Sequence, residues 1–321
     1  MQNKPIIIVN GEPNSIFLEI FFKAIKFKKY NSPILLISSL KLLKFYMKKF
    51  KFYKKIEIID KENINLNKLN NKSINLIDVK YDLQKNMKKI SARSNKFIKN
   101  SFDIALGMIY SGVSNKLING PISKKTFLKK KYLGITEYIA EKSNNKNVTM
   151  LIYNKDLSVC PLTTHVPIKQ VSKLITKKNI FNSVSLINNF YKKKAGFKPK
   201  IAVLGLNPHC ESIDKNNEDE KILKPTIKHL HSLGYKISGP YSADTFFMRK
   251  NRNKFNVVIG MYHDQVLTPL KTIFEYDAIN ITLGLPFLRV TPDHGPNVQM
   301  IGKNISDPLS LIQAITFLDK D

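Results

Sequence analysis

Three of the six histidines in this chain come directly after a predicted strand. They are His165 in T-T-H-V-P, His209 in G-L-N-P-H and His263 in Y-H-D-Q. Because the strands of an open α/β sheet share one carboxyl edge, we expect the three imidazoles to lie close together. Three imidazoles with one open position are typical of a catalytic site for Zn²⁺ or a similar ion. Taken together the histidines predict a bound divalent metal, whereas each one singly is better explained as a hydrogen-bonded loop residue.

Two carboxylates lie close to these histidines in the sequence. Asp264 follows His263 directly, and Asp244 lies in S-A-D-T-F, after a turn predicted at Gly239-Pro240. A carboxylate at either position could orient a metal-bound imidazole or accept a proton from a substrate. Asp244 fits equally well as the cap of a helix that opens at Thr245. Both aspartates are therefore candidate catalytic residues, and the sequence does not choose between them.

A third group of polar residues brackets the apolar segment N-I-T-L-G-L-P-F-L-R. Its members are Lys271, Asn280 and Arg289. Arg289 is one of only four arginines among 53 basic residues. A guanidinium group can bind a carboxylate or phosphate through two parallel hydrogen bonds, so Arg289 is a better candidate for an anion site than any of the lysines. The alternative is an ion pair on the surface.

The elements that must position these residues follow from short apolar runs that alternate with longer segments of helical periodicity. Such alternation predicts an α/β protein with a largely parallel sheet. Strands are predicted over seven ranges: 5–9, 33–38, 117–119, 148–152, 157–163, 200–206 and 257–261. Helices are predicted within 168–190 and 222–233, where apolar residues recur at three- and four-residue steps. No G-x-G-x-x-G follows a predicted strand, so a nucleotide cofactor would require an architecture without that loop.

The composition bears on the class of partner. The 321 residues include 53 Lys and Arg against 24 Asp and Glu, which gives a formal net charge of +29. Such an excess can mark a polyanion partner. The basic residues are mostly lysines in short, scattered pieces, and lysine is poorer than arginine at bidentate contacts to bases. Solvated basic surfaces are therefore favoured over nucleic-acid binding.

Two further features bear on localisation. The apolar runs fall far short of the roughly 20 residues that cross a bilayer, and the N-terminus lacks the apolar region of a signal peptide. The chain has only two cysteines, too few for a framework of disulfides. We therefore expect a cytoplasmic protein with no membrane partner.

The motifs around the histidines resemble those of the 4-hydroxythreonine-4-phosphate dehydrogenase family of pyridoxine-phosphate biosynthesis. The resemblance rests on T-T-H-V-P, G-L-N-P-H, A-D-T with Phe247, Y-H-D-Q and N-I-T-L-G-L-P-F-L-R. The turn N-G-P-I-S-K, which begins at Asn119, is also similar to a family motif. These motifs run from residue 119 to about residue 295 in the family's order and spacing. The first hundred residues match only weakly.

The resemblance implies a fold and a set of partners. The fold is a two-lobed α/β structure like that of the isocitrate and isopropylmalate dehydrogenases, with mixed sheets and a cleft between the lobes. We expect the lobes at residues 1–130 with 295–321, and at residues 131–294, which carry the metal and substrate residues. NAD would bind without the Rossmann glycine fingerprint, through residues that the sequence does not identify. The chain would form a homodimer with the active site at the interface.

The resemblance also implies two sets of site residues. One set holds a single divalent metal (Zn, Mg, Co or Mn) with ligands from both subunits: His165, His209 and His263. The other set contacts the phosphorylated substrate: Thr136, Lys271, Asn280 and Arg289.

The implied activity is the NAD-dependent oxidation of 4-phosphohydroxy-L-threonine at C3, followed by decarboxylation to 3-amino-2-oxopropyl phosphate. Two departures from the family bear on it. Ile135 in G-I-T-E replaces a histidine that contacts the substrate, and Ser15 and Phe17 replace two glycines of an N-terminal motif. The alternative is therefore a related dehydrogenase of another phosphorylated hydroxy acid, of the tetronate 4-phosphate type. A nucleic-acid-binding protein on the same fold is the least favoured hypothesis.

Overall fold

The computed structural model describes residues 3–83, 89–128, 131–132, 134–145, 147–210, 216–292 and 295–320. The chain divides into two compact units, residues 1–139 with 286–321 and residues 140–285. The unit boundaries differ from those expected for the lobes, because residues 134–139 and 286–292 belong to the first unit.

Most of the strands of the described residues are separated by helices along the chain. They are β1 (Ile6–Val9), β2 (Ile34–Ser38), β3 (Ile56–Ile58), β4 (Ile74–Asp78), β5 (Lys116–Asn119), β6 (Thr149–Tyr153), β7 (Ser158–Thr163), β8 (Ile201–Leu204), β9 (Ile237–Tyr241), β10 (Val257–Tyr262), β11 (Ile279–Leu283) and β12 (Leu288–Pro292). The α-helices are α1 (Phe17–Phe27), α2 (Leu40–Lys49), α3 (Asn95–Tyr110), α4 (Ile135–Lys142), α5 (Val171–Leu174), α6 (Lys177–Ala195), α7 (Lys224–Ser232), α8 (Ala243–Phe246), α9 (Arg249–Arg252), α10 (His263–Phe274) and α11 (Leu309–Asp319). None of these helices has both the length and the hydropathy that a bilayer crossing requires.

The sheet of the first unit has the strand order β3-β4-β2-β1-β5-β12, and its strand pairs are parallel. Its central strand β1 (Ile6–Val9) is wholly apolar and buried. A parallel sheet whose two faces are covered by helices requires such continuous apolar runs. β12 joins this sheet beside β5, and Tyr138 of α4 packs edge-on against Phe102 of α3 with ring centroids 5.8 Å apart. These contacts are the reason that the segments around β12 and α4 belong to the first unit.

The sheet of the second unit has the order β11-β6-β7-β10-β8-β9. β6 runs antiparallel to both of its neighbours, β11 and β7, whereas the pairs β7-β10, β10-β8 and β8-β9 are parallel. The core of this unit includes Val159, Leu204, Val258 and Phe246. The arrangement places β10 between β7 and β8, and these three parallel strands end at one edge.

The seven predicted strands are present with ends shifted by one or two residues, and five further strands were not predicted. The turn predicted at Gly239-Pro240 is wrong, because both residues lie inside β9. Gly239 has a φ of 134°, and a Cβ there would lie 2.4 Å from the carbonyl oxygen of Val203, so β9 approaches β8 closely at this point. The helix predicted over 168–190 is interrupted: α5 ends at Leu174, and α6 begins after Thr176, whose side chain caps it.

Candidate functional site

The three histidines lie at the carboxyl ends of three adjacent parallel strands. β10 is the middle strand and pairs with β7 on one side and with β8 on the other. His165 follows β7, His263 follows β10 as the first residue of α10, and His209 lies in a single 3₁₀ turn after β8. We call these three residues the histidine rim. The strands end at one edge, as the sequence predicts.

Two members of the histidine rim are neighbours. The ring centroids of His165 and His263 are 6.3 Å apart, with an angle of 37° between the ring planes. Two imidazoles that bind one ion through nitrogen, with metal–nitrogen distances of about 2.0–2.1 Å, have centroids about 5–6 Å apart. The separation in this chain is therefore within about 1 Å of what a shared ion requires.

His209 instead lies next to a carboxylate. Its Nδ1 atom is 4.0 Å from Oδ2 of Asp244, and 76% of its side chain is exposed. Both His209 and Cys210 have a φ of 58°, in the left-handed region that residues with a side chain seldom adopt. The chain therefore turns sharply after β8, which leaves the imidazole on the surface of the unit and buries Cys210.

The imidazoles and carboxylates at this edge are chemically suited to bind a divalent ion. The described residues of one chain, however, supply only some of the ligands that an ion needs. In the described ranges, no group of three or more His, Cys, Asp or Glu side chains is close enough to hold an ion. Imidazoles flanked by carboxylates are nevertheless the donors that Zn²⁺ and similar ions prefer. His165 and His263 can provide part of a donor set, and the exposed His209 can bind an ion whose other ligands come from outside the chain.

The two candidate carboxylates differ in their environment. Nδ1 of His263 is 2.6 Å from Oδ1 of Asp264, and an N–H donated to that oxygen leaves the Nε2 lone pair for a metal. A hydrogen bond from Ser242 holds the pKa of Asp244 below its usual range, and the nearby His209 adds to this effect. A carboxylate with a low pKa is a weak base, so Asp244 is better suited to orient His209 than to accept a proton. Asp244 also serves the start of α8: Ser242 is the N-cap, and the carboxylate of Asp244 in the first turn accepts hydrogen bonds from its own backbone N–H and from that of Thr245.

Arg289 is buried rather than exposed, so the alternative of a surface ion pair is wrong. Only 1% of the residue is accessible, and it lies in β12 of the first unit. Its Nε atom donates to Oδ1 of Asn119 at 2.9 Å, and its Nη1 atom donates to Oγ1 of Thr136 at 3.0 Å. Burial lowers the pKa of Arg289 to about 10, and the carboxylate of Glu137 partly opposes this shift. The guanidinium is thus charged at neutral pH and firmly held, in contact with another expected substrate residue.

Lys271 and Asn280, the other two expected substrate residues, belong to the second unit. Lys271 is exposed on α10, about 12 Å along the helix axis from His263. Asn280 lies opposite Ile152 in the ladder of β11 and β6, and its buried Oδ1 atom accepts no hydrogen bond from the described residues. A buried amide oxygen usually has a partner, so this atom is available to a ligand or to water.

Sequence reasoning missed two polar residues, the buried Asp219 and the half-buried Gln265. Their side chains hydrogen-bond to the backbone of the segments that precede His209 and His263. Gln265 is the last residue of Y-H-D-Q and could have been noticed there. Asp219 carries no local signal, because it lies in the acidic run E-D-E, which resembles a solvated segment.

A buried carboxyl group was also missed in the first unit. Glu12 is fully buried after β1, where its Oε2 atom accepts a hydrogen bond from Ser94 Oγ at 3.1 Å. Burial raises the pKa of Glu12 from 4.5 to about 7, against hydrogen bonds from Asn14 and Ser94 that lower it. This carboxyl therefore titrates near neutral pH.

Comparison with known proteins assigns this chain to a family. The model of the family described as pyridoxal phosphate biosynthetic protein PdxA matches residues 29–318. The 4-hydroxythreonine-4-phosphate dehydrogenase of Sulfurihydrogenibium sp. (strain YO3AOP1) is 39% identical over 316 residues, which are 97% of this chain and 96% of that protein. The protein of the same name from Neisseria meningitidis serogroup A is 35% identical over 234 residues, which are 71% of each chain.

Solved structures show the same fold. The 4-hydroxythreonine-4-phosphate dehydrogenase from Klebsiella pneumoniae has a TM-score of 0.82 at 24% identity and covers 98% of both chains. That from Burkholderia phymatum has a TM-score of 0.75 at 25% identity and covers 99% of this chain and 98% of its own. The expected α/β fold class with mixed strand directions is confirmed. The resemblance to this family is confirmed as well: this chain belongs to the PdxA family, whose matched members are named as dehydrogenases.

Proposed function

We propose that this chain oxidises 4-phosphohydroxy-L-threonine at C3 with NAD and that the product loses CO₂ to give 3-amino-2-oxopropyl phosphate. The substrate follows from the names of the curated relatives, one of which matches nearly the whole chain. The observation that carries the proposal is the histidine rim, three imidazoles at the ends of adjacent strands in a chain of this family.

The histidine rim would hold one divalent ion. Because the described residues of one chain supply only part of a donor set, we propose a homodimer in which both copies contribute ligands. When bound, the ion supplies Lewis acidity beside the hydroxyl group that is oxidised. Three neutral imidazoles leave the charge of the ion intact, whereas carboxylate ligands would cancel part of it.

Oxidation of the alcohol transfers a hydride from C3 to NAD and releases the hydroxyl proton to a base. Asp264 is the better candidate for that base. Its carboxylate is exposed and lies beside His263, whereas the low pKa of Asp244 makes that residue a poor proton acceptor. Asp244 is assigned to orient His209.

The anionic and polar ends of the substrate require cations and hydrogen-bond partners. Arg289 keeps its positive charge although it is buried, and its hydrogen bonds fix its orientation toward Thr136. Lys271 is an exposed cation, and Asn280 has a buried acceptor atom that is available. We assign these four residues to binding the substrate so that C3 faces the nicotinamide.

A second candidate is a dehydrogenase of another phosphorylated hydroxy acid, such as a tetronate 4-phosphate. Ile135 favours it: the residue opens α4 next to Thr136, and an isoleucine can neither donate a hydrogen bond nor carry charge. A different substrate would keep the metal ligands and change this contact.

The experiment that tests the proposal measures NADH formation by the full-length protein with NAD and Zn²⁺, Co²⁺, Mn²⁺ or Mg²⁺. The substrates compared are 4-phosphohydroxy-L-threonine and a panel of phosphorylated hydroxy acids that includes tetronate 4-phosphate. We expect the highest kcat/KM with the phosphothreonine derivative, together with CO₂ release. Preferential turnover of a tetronate phosphate would support the second candidate, and no NADH with any of them would refute both.

A further inference from the structure

We infer that Asp219 is a positioning residue for His209: its buried carboxylate holds the turn that directs this imidazole toward the metal. The inference rests on the proposed function, since it assumes that His209 binds an ion. Asp219 is fully buried. It therefore touches neither substrate nor ion in this chain and can act only through the residues that it holds.

The hydrogen bonds of Asp219 converge on the residues just before His209. Oδ1 accepts from the backbone N–H of Leu206 at 2.8 Å. Oδ2 accepts from the backbone N–H of Asn207 at 3.0 Å and from the side-chain Nδ2 of Asn207 at 2.9 Å. A charged acceptor forms stronger hydrogen bonds than a neutral one, and burial excludes the water that would compete for them. Leu206 and Asn207 are thus fixed by a residue that lies 13 and 12 positions further along the chain.

The turn needs such support because its backbone is unfavourable. His209 and Cys210 both lie in the left-handed region, and two consecutive residues of this kind persist only where their surroundings determine the conformation. The backbone N–H of Cys210 donates to the carbonyl of Asn207 at 3.1 Å, so the turn closes on the residue that Asp219 holds. The packing is tight: a Cβ on Gly205 would lie 2.6 Å from Cys210 Sγ and 3.0 Å from Asp219 Oδ1.

A second side chain links this turn to the strand that precedes His263. Gln265 donates from Nε2 to the carbonyl of Gly205 at 2.8 Å, and its Oε1 atom accepts from the backbone N–H of Met261 at 2.7 Å. Asp219 and Gln265 therefore hold Gly205, Leu206 and Asn207 from two sides. Because Met261 lies in β10, the position of His209 is fixed relative to the end of the strand that carries His263.

The test compares Asp219→Asn with Glu220→Gln in the full-length protein. Both changes remove one negative charge from adjacent residues, but Glu220 pairs with the exposed Lys224 and does not touch the turn. The apo proteins are titrated with Co²⁺ by calorimetry, after circular dichroism and thermal unfolding have shown that each is folded. Loss of a group that orients a metal ligand typically weakens metal binding by about 10- to 100-fold, which is the loss expected for Asp219→Asn. Glu220→Gln should bind Co²⁺ within about twofold of the wild-type protein.

A second readout separates positioning from a general loss of structure. NADH formation is followed as Co²⁺ is varied. We expect Asp219→Asn to need more Co²⁺ for half-maximal activity and to regain most of the wild-type kcat when Co²⁺ saturates. A purely structural role would lower the maximal activity and leave the half-saturating concentration unchanged, which would overturn the inference.

A Co²⁺ titration of His209→Ala distinguishes the positioning role of Asp219 from the proposed metal site. If His209→Ala loses Co²⁺ binding while Asp219→Asn binds as the wild-type protein does, the positioning role is refuted and the proposed metal site stands. If His209→Ala itself binds Co²⁺ normally, the proposed metal site is refuted. If Asp219→Asn does not fold, Asn207→Ala decides, since it removes one of the three hydrogen bonds. An affinity about two- to tenfold weaker supports the inference, and wild-type affinity overturns it.

Discussion

At the carboxyl edge of the second unit, the side chains of His209 and Asp264 are 76% and 79% exposed. In the first unit, Arg289 and Glu12 are 1% and 0% exposed. The exposed groups keep most of their bonding capacity for a ligand. The buried groups use theirs within the protein, as in the hydrogen bonds from Arg289 to Asn119 and Thr136.

We therefore expect the exposed groups to matter more for activity than for stability, whereas the buried Arg289 stabilises the fold in addition to its proposed contact with the substrate. Removing an exposed polar side chain costs little free energy of unfolding, because water replaces its partners and exposed ion pairs are worth about 0–1 kcal/mol. Removing a buried one leaves desolvated partners behind. Changes at His209 should therefore affect catalysis more than folding, and changes at Arg289 and Glu12 should affect the free energy of unfolding.

The largest effect is expected for His209→Ala. Loss of a metal ligand removes several kcal/mol of transition-state stabilisation, which corresponds to a roughly thousandfold or greater fall in the rate of NADH formation. The free energy of unfolding of the metal-free protein should change by less than about 1 kcal/mol, because the side chain is exposed. Wild-type turnover by His209→Ala would show that a metal bound by His209 takes no part in the reaction.

Arg289→Met, unlike His209→Ala, should lower the free energy of unfolding substantially. The variant keeps the apolar stem but leaves Asn119 Oδ1 and Thr136 Oγ1 without their donor, at a cost of about 2–4 kcal/mol in the free energy of unfolding. Urea unfolding measures this loss, and Arg249→Met, which removes an exposed arginine, is the matched control. Equal stability of the two variants would contradict the role assigned to the buried guanidinium.

Glu12→Gln tests how the buried carboxyl of Glu12 makes the free energy of unfolding depend on pH. The pKa of Glu12 is raised from 4.5 to about 7 in the folded protein, so folding favours the protonated carboxyl. Its contribution to stability is fully present below about pH 4.5 and is lost as the pH rises through about 7. Glutamine does not ionise, so Glu12→Gln should gain stability relative to wild type between pH 4.5 and pH 9, by about 2–4 kcal/mol. Urea unfolding of both proteins at pH 4.5 and pH 9 measures this gain. A difference in the free energy of unfolding that is the same at the two pH values would contradict the prediction.

The smallest effect is expected for Ile135→His, which introduces the histidine that the family resemblance implies at this position. One added hydrogen bond to the substrate is worth about 0.5–1.5 kcal/mol, so kcat/KM for 4-phosphohydroxy-L-threonine should rise by no more than about tenfold. Steady-state kinetics measures the change. A much larger increase would mean that the native substrate is a different phosphorylated hydroxy acid.

The sequence predicts the strands that carry the histidine rim because each is a short apolar run followed by polar loop residues. It misses β9, since a Gly-Pro pair normally marks a turn, and here the glycine allows close approach to β8. The short strand β3 is half-exposed and lacks the continuous apolar run that identifies its neighbours.

The site is predictable in part for the same reason. The positions of His165, His209 and His263 follow from strand ends, which the local pattern marks. The burial of Arg289 does not follow, because its partner Asn119 lies 170 residues earlier in the chain. The role of Asp219 is hidden in the same way, since its hydrogen bonds depend on a tertiary fold that spacing does not reveal.

The most direct test of the shared metal is anomalous scattering at the cobalt or zinc edge, from crystals of full-length protein grown with the ion. We predict one peak for each chain, about 2.0–2.1 Å from imidazole nitrogens of His165, His209 and His263 drawn from two copies of the chain. The absence of a peak at the histidine rim, or a peak bound by other residues, would contradict the account.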